Sequence, residues 1–245
     1  MDKQRVVRRP AISRRDGESW NYGNASLSSG RKRAEKKMDN EEQDIWEVGE
    51  EDNVGRMLRA RREILPWERV VEDRALLQAP MDQPVCLECL GPLQTPVLCP
   101  SCKWPLCDDD CGKDGDDWHR IECGILTKSE IQPYGDGGEL YSILGLLRLL
   151  LLKQQDEKSR IRLMMDHWEV FSRNQVLVKG TEKMANFLQT HLQLPWVTIE
   201  DVQHCFGVLK TNAMKIKEGR AQIIFPTASL LSHSCSPNLE VLTIL

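Results

Sequence analysis

Seven cysteines and one histidine fall between residues 86 and 123, arranged in four close pairs. Cys86 and Cys89 form one C-x2-C knuckle, and Cys99 and Cys102 form a second. Cys107 and Cys111 follow with three residues between them, and His119 and Cys123 close the run with the same gap. Thiolate and imidazole are donors that zinc takes four at a time in a tetrahedron, and a tight turn presents two of them with little extra loop-closure entropy. Eight donors imply two closed sites. Neither would keep an open position for water, so the metals would organise the fold and not perform catalysis. Free core thiols are the competing reading, but unrelated cysteines do not pair at two- and three-residue gaps four times over. Cys205 and Cys235 have no second cysteine nearby and are expected to be buried apolar fillers. A unit this short has little apolar material of its own, so metal binding would supply much of its folding free energy.

The elements that must position these donors lie on both sides of the cluster. Ahead of it, "WEVGEEDNVGRMLRARREILPWERVVEDRALLQAP" alternates apolar and polar residues in short runs between turn residues, which predicts two or three strands. Behind it, "ELYSILGLLRLLLLKQQ", "RIRLMMDHWEVFSR" and "TEKMANFLQTHL" carry helical spacing of apolar residues. Thr198, three residues before Asp201, offers the N-cap of a further helix ending near Leu209. This order predicts an α+β fold with a zinc insert. The apolar run Leu140 to Leu152 is shorter than the roughly 20 residues that span a bilayer and is interrupted by Arg148, so it reads as a buried helix and no membrane role is expected.

With 245 residues, 40% of them hydrophobic, the chain is long enough for one sizeable core and a small module. Residues 1–44 are polar and charged, and are expected to form a disordered charged tail. Its basic cluster Arg31, Lys32, Arg33, Lys36 and Lys37 suits nuclear import or a weak nucleic-acid patch. The acidic "DNEEQD" that follows would mask phosphate attraction, so direct nucleic-acid binding is not expected. Clustered cysteines with no apolar leading segment point to a reducing compartment, nucleus or cytoplasm.

The ending "CKWPLCDDDCGKDGDDWHRIEC" resembles the MYND zinc finger, whose pattern closes with C-x3-C, seven residues, His, three residues, Cys. RING and PHD fingers also place eight ligands in two sites but lack that ending. The resemblance implies interleaved ligation: Cys86, Cys89, Cys107 and Cys111 on one zinc, Cys99, Cys102, His119 and Cys123 on the other. It also implies protein partners, since MYND fingers bind short, often proline-containing peptides. Asp108 to Asp110 would then either steer basic partners or form a solvated loop face.

"GRMLRARREILPWERVVEDRALLQAP" is similar to the opening of a SET domain, with its G-x-G turn and two short strands, and "LLSHSCSPN" to that family's N-H-S-C-x-P-N motif. A SET domain split by a MYND finger is the signature of the SET and MYND family of protein-lysine methyltransferases, a resemblance that covers about Trp46 to the end of the chain. It implies SET-type small β-sheets split by the finger and followed by a helical insert: residues 45–84, 85–123 and 124–245. It further implies transfer of a methyl group from S-adenosylmethionine to a lysine of a protein substrate such as a histone. The cofactor would lie against the Gly55–Arg56 turn, Asn212, and the Ser232–His233 pair. A glycine turn lets backbone approach a polar ligand, and an amide side chain can pair with its charged tail. His233 would contribute backbone contacts and packing, or sit as a satisfied core histidine.

Three departures from the pattern support an alternative, a non-catalytic zinc-dependent adaptor or transcriptional regulator. Met57 stands at the second glycine of the turn, where a side chain crowds the cofactor, and Ser232 replaces an asparagine, so cofactor affinity is expected to be weakened. The chain stops at Leu245, ahead of the family's closing tyrosine segment, and its three tyrosines, Tyr22, Tyr134 and Tyr141, all lie upstream. A C-terminally incomplete SET domain is expected, with no catalytic residue assigned and the strand material "EVLTIL" left without partners.

Overall fold

The valine pairs of "QRVVR" and "RVVEDR" fall in strands, and the leucine run 140–152 falls in a helix. The computed structural model describes residues 3–8, 45–52, 55–108, 110–111, 118–129, 131, 138–155 and 160–244. In chain order the strands β1 (Lys3–Arg8), β2 (Trp46–Glu51), β3 (Gly55–Ala60), β4 (Arg69–Arg74) and β5 (Leu77–Pro80) precede the two-residue strands β6 (Val97–Leu98) and β7 (Pro105–Leu106). Helices α1 (Trp118–Ser129), α2 (Gly138–Gln155), α3 (Trp168–Phe171), α4 (Gln175–Thr190) and α5 (Ile199–Asn212) come next, then β8 (Met214–Ile216), β9 (Ala221–Ile224) and β10 (Leu239–Ile244). The chain forms two compact units. One, the finger unit, runs 75–226; the other, the strand unit, joins the described parts of 2–74 to 227–245.

In the strand unit, β2 and β3 form an antiparallel hairpin with Trp46 opposite Ala60 and Glu51 opposite Gly55. A second sheet has the order β10-β1-β4, with β1 antiparallel to both neighbours and Val6 opposite Val241 and Val71. Two expectations are corrected here. Lys3–Arg8, expected within a disordered tail, is a strand, and "EVLTIL", expected to lack partners, pairs with it. Each supplies the backbone hydrogen bonds that the other needs. The rest of the expected tail lies outside the described residues. Ile45, Val70 and Val71 form this unit's small core, covered by Trp46, Leu58, Ile64, Leu231 and Leu239. Trp46 Nε1 donates to the Val70 carbonyl at 3.0 Å.

In the finger unit, β5, β9 and β8 form an antiparallel sheet in that order, with Leu77 opposite Ile224 and Met214 opposite Ile223. Every residue of β5 is buried, as a strand covered on both faces requires. Helix α2 is apolar around most of its circumference and buries Tyr141, Leu144, Leu147 and Leu150. The hairpin β6–β7 belongs to the cysteine-rich segment, whose Val85, Leu87, Leu90 and Trp104 lie in the same apolar cluster as the α2 leucines. Trp104 meets Tyr141 edge-on at 5.3 Å and donates from Nε1 to the Ile131 carbonyl at 3.1 Å. The cysteine-rich segment therefore shares its core with the helices.

"RIRLMMDHWEVFSR" does not form one helix as its spacing suggests. It splits into a 3-10 turn, Arg160–Leu163, and the four-residue α3, because His167 between them sits at φ 49, a left-handed conformation that a continuous helix does not contain. Asp166 holds the break open: one carboxylate oxygen accepts from the Trp168 backbone at 2.9 Å and the other lies 2.6 Å from His204 Nδ1. Helix α5 starts at the expected cap, with Thr198 Oγ1 accepting from the Asp201 backbone at 3.0 Å, and runs past Leu209 to Asn212. Its Gly207 lets it lie against residue 166, where a Cβ would come within 2.7 Å of the Asp166 side chain. Among the described residues no helix is long and apolar enough to cross a membrane.

Candidate zinc centres and cofactor-motif residues

Two knuckles with the same backbone geometry present the first four thiols. Cys86 accepts from the Leu90 backbone at 2.9 Å and Cys99 from the Lys103 backbone at 2.9 Å, and Leu90 and Lys103 both turn through positive φ, 58 and 64. Each turn brings its pair of sulfurs to one side. In α1, His119 and Cys123 lie one turn apart on one helix face. Cys107 and Cys111 follow β7.

The fold gathers these eight residues into two groups of four, Cys86, Cys89, Cys107 and Cys111, and Cys99, Cys102, His119 and Cys123, with all donor atoms of a group within 4.8 Å of one another. In the first, Cys86 and Cys111 sulfurs lie 3.6 Å apart and those of Cys89 and Cys107 3.8 Å. In the second, the Cys99 and Cys123 sulfurs lie 3.7 Å apart, and Cys102 Sγ lies 3.4 Å from His119 Nε2. A tetrahedron with bonds of about 2.3 Å has edges of about 3.8 Å, shortening to about 3.6 Å where one donor is a nitrogen. The separations match zinc edges and are far longer than a disulfide bond of about 2.05 Å. Each group could hold a zinc ion.

The electrostatics of the donors point the same way, because sulfurs this close cannot all ionise by themselves. The Cys89 thiol hydrogen bond holds Cys86 down to about 4, while that same pairing pushes Cys89 far up. Burial raises Cys107 and takes Cys111 up to about 12. In the second group, hydrogen bonds from the Cys102 backbone and from His119 outweigh burial and bring Cys99 down to about 6; burial and the Cys102 charge lift Cys123 to about 11. Burial would lower His119, yet Cys102, Glu122 and Cys99 raise it to about 11. Both clusters favour a positive charge at their centres, which a divalent cation supplies.

Three residues around the donors were not singled out by their spacing. Glu88, inside the first knuckle, accepts from the backbones of Trp118 and His119 at 3.1 and 2.9 Å and so caps α1. Glu122 is fully buried beside His119, and Arg148, also fully buried, donates to both of its carboxylate oxygens. The one available signal was an arginine in the middle of a leucine run.

The cofactor-motif residues are spread over both units. Gly55 opens β3 at φ 76, the conformation glycine is needed for, and Arg56 is exposed. Met57 is half-buried opposite Gly49. Residues 232–238 are all exposed, including Ser232, His233 and Cys235. His233 is thus not a core histidine, and Cys235 is not a buried filler; its sulfur lies 3.5 Å from His233 Nε2, in a loop with no large apolar neighbour in sequence to cover it. Cys205 is buried as expected, and burial pushes its thiol up to about 12. Asn212 belongs to the finger unit, where its amide nitrogen donates to the Met165 and Val208 carbonyls at 2.8 and 2.9 Å. Asp73, not identified from sequence, accepts from the Thr227 and Ala228 backbones and anchors the 3-10 turn Ala228–Leu230 ahead of the "SHSCSPN" loop.

Curated proteins similar to this chain are lysine methyltransferases of the SET and SMYD type. Histone-lysine N-methyltransferase ASHR1 of Arabidopsis thaliana is 27% identical over 201 residues, 75% of this chain and 41% of that protein. N-lysine methyltransferase SMYD2-B of Danio rerio is 25% identical over 172 residues, 64% of this chain and 38% of that protein. Histone-lysine N-methyltransferase SET5 of Yarrowia lipolytica is 25% identical over 225 residues, 77% of this chain and 50% of that protein. The chain thus spans half or less of the length of these relatives. No protein-family model matches it.

Proposed function

We propose that this chain acts as a SET and MYND protein-lysine methyltransferase that uses S-adenosylmethionine, with a two-zinc MYND finger as its protein-interaction module. The observation that carries the reading is the pair of tetrahedral donor sets, spaced as in a MYND finger and inserted between the Gly55 strand and the "SHSCSPN" loop. The similarity to lysine methyltransferases, which carry the same activity in their names, supports it. S-adenosylmethionine would bring an electrophilic methyl group on a sulfonium. What the chain would contribute is position: the Gly55 turn gives close backbone approach, Arg56 and Ser232 polar side chains, and the His233 backbone a further contact, while the substrate amine must arrive unprotonated. Zinc held by four thiolates, or by three and an imidazole, would keep the finger folded and take no part in the transfer.

A second reading, a zinc-dependent adaptor without transfer activity, is favoured by Met57 at the second glycine position and by the Asn212 amide nitrogen already bonded to two carbonyls. Both readings are of a nuclear or cytoplasmic protein, where thiolates stay reduced. Calorimetric titration of the zinc-loaded chain with S-adenosylmethionine separates them. Micromolar binding, together with methyl transfer from labelled cofactor to core histones or lysine peptides, is the expected result. Absence of heat at millimolar cofactor, alongside retained binding of proline-containing peptides, would replace the enzyme with the adaptor. Elemental analysis should return two zinc ions per chain.

A further inference from the structure

Glu122 and Arg148 are charged, wholly buried, and used by neither donor set. The two nitrogens of His119 face different ways. Nε2 looks into the second group, 3.4 Å from Cys102 Sγ, while Nδ1 faces Glu122 Oε1 at 3.7 Å. Nδ1 is buried and has no hydrogen-bond partner among the described residues, and the Glu122 carboxylate, at 3.7 Å just outside hydrogen-bond range, stands in front of this otherwise orphaned ring nitrogen. A carboxylate without exposed surface would be costly alone. Arg148 answers it twice, from Nε to Oε2 at 2.8 Å and from Nη2 to Oε1 at 2.6 Å.

The same guanidinium reaches the other group. Arg148 Nη1 donates to the Gln78 carbonyl of β5 at 2.8 Å, and Nη2 to the carbonyl of Leu87, which lies between Cys86 and Cys89 in the first knuckle. Glu88, the next residue of that knuckle, caps α1 directly beneath His119. Two separate links therefore run from the first knuckle to the helix that carries half of the second donor set. Leucine-run packing alone would be served better by an apolar side chain at 148, since a buried ion pair is often no more stabilising than hydrophobic residues of its volume.

We infer that Glu122 and Arg148 are positioning residues of the zinc centres: Glu122 fixes the His119 ring through Nδ1, and Arg148 ties that ligand to the knuckle of the other centre, so the two centres load as one. Carboxylates behind a ligating imidazole set its tautomer and ring orientation, and their loss commonly costs 10–100-fold in metal affinity. The inference rests on the zinc reading of the eight donors.

Cobalt(II) substitution of the full chain tests it, because four-sulfur and three-sulfur-one-nitrogen centres have distinct visible spectra and each can be followed during competition with a chelator. In the unaltered chain both spectra should rise and fall together, and fewer than two metals bound would overturn the zinc reading itself. Glu122→Gln should weaken the nitrogen-containing centre about 10–100-fold and separate the two titrations. Should Glu122→Gln not fold, Glu122→Gln with Arg148→Met removes both buried charges together and is read in the same way. A variant that melts at a lower temperature but loads both centres within twofold of the unaltered chain, still in concert, would reduce the pair to packing and overturn the inference.

Discussion

Arg148 in the finger unit has no exposed surface and gives hydrogen bonds to a carboxylate and two carbonyls, whereas in the strand unit Arg59, 50% exposed, meets the Glu51 carboxylate and Arg62, 44% exposed, meets the Glu68 carboxylate and the Glu63 carbonyl. Arg148 and Glu122 have no exposed surface and are matched to one another. Of the strand unit's motif residues, Arg56, Ser232 and His233 stand in solvent, on a hairpin and a loop, while Gly55 and Met57 are half-buried. A buried network of this kind fails all at once when one member is removed, because the partner is left desolvated and unpaired. Exposed pairs exchange their partner for water at small cost. Changes of the same chemical size should therefore produce very different effects in the two units.

The largest effect is expected from the donors. Cys102→Ser replaces a thiolate with a hydroxyl that stays protonated, and should cost one zinc per chain by elemental analysis. Structural zinc contributes roughly 10–16 kcal/mol in finger peptides, comparable with the roughly 5–15 kcal/mol that a whole domain has in hand. Loss of the cooperative thermal transition of the finger unit should accompany loss of the metal. Retention of two zinc ions and an unshifted transition would remove Cys102 from the ligand set and weaken the contrast drawn above.

Glycines within helices sharpen the comparison inside the finger unit. An added Cβ at Gly207 of α5 would meet residue 166 backbone and side chain, with the Asp166 Cβ 2.7 Å and its carbonyl carbon 2.9 Å away, whereas at Gly180 of α4 it would meet nothing within 4 Å. Gly207→Ala should destabilise by about 1–3 kcal/mol or more through forced separation of α5 from residue 166. Gly180→Ala should stabilise by about 0.5–1 kcal/mol by lowering backbone entropy of the unfolded chain. Equal and opposite shifts in denaturant midpoint would not be expected; a destabilising Gly180→Ala would mean that the α4 face is covered.

What the sequence disclosed, and what it hid, follows the same line. The eight donors were legible because metal chemistry fixes residue type and gap, and the Thr198 cap because a capping box is local. Their sorting into two sets of four came only from family resemblance, since spacing alone does not say which pairs share a centre. The Lys3–Arg8 strand and its pairing with β10 were invisible: β10 lies across nearly the whole chain and its other partner β4 is also far off in sequence, and a basic hexapeptide shows no such partner locally. Glu88, Glu122, Arg148 and Asp73 were missed for a related reason. A charged residue signals exposure until the acceptor that buries it is known.

Asp166 gives a pH signature of moderate size. Burial would raise its pKa, but the Trp168 backbone bond and the His204 side chain outweigh burial and leave it below the ordinary carboxylate value. A carboxyl with a folded pKa below its unfolded one contributes stability that is complete above the unfolded value and is lost as pH falls through the folded one. Asp166→Asn should therefore cost about 1.5–3 kcal/mol near neutrality and little at the most acid pH where the chain remains folded. A constant difference across that range would show that Asp166 acts through shape and not through its charge.

The smallest effect belongs to the strand unit's surface. Glu68 pairs with Arg62 through two contacts and also accepts from the Leu65 backbone at 2.8 Å, and the Arg62 hydrogen bond is the main cause that lowers its pKa. The sign of its pH dependence is the same as for Asp166, with stability lost on acidification. The size is not, because the Arg62 side chain is 44% exposed and solvent takes over when the pair is broken. Glu68→Gln should shift stability by about 0–1 kcal/mol, and that shift should shrink further in molar salt, where charges are screened within roughly 3 Å. Asp166→Asn, by contrast, should keep most of its effect in the same salt, since backbone and imidazole partners hold that carboxylate in a partly desolvated notch. Salt sensitivity of equal magnitude at both positions would erase the distinction between an enclosed polar network and an exposed one.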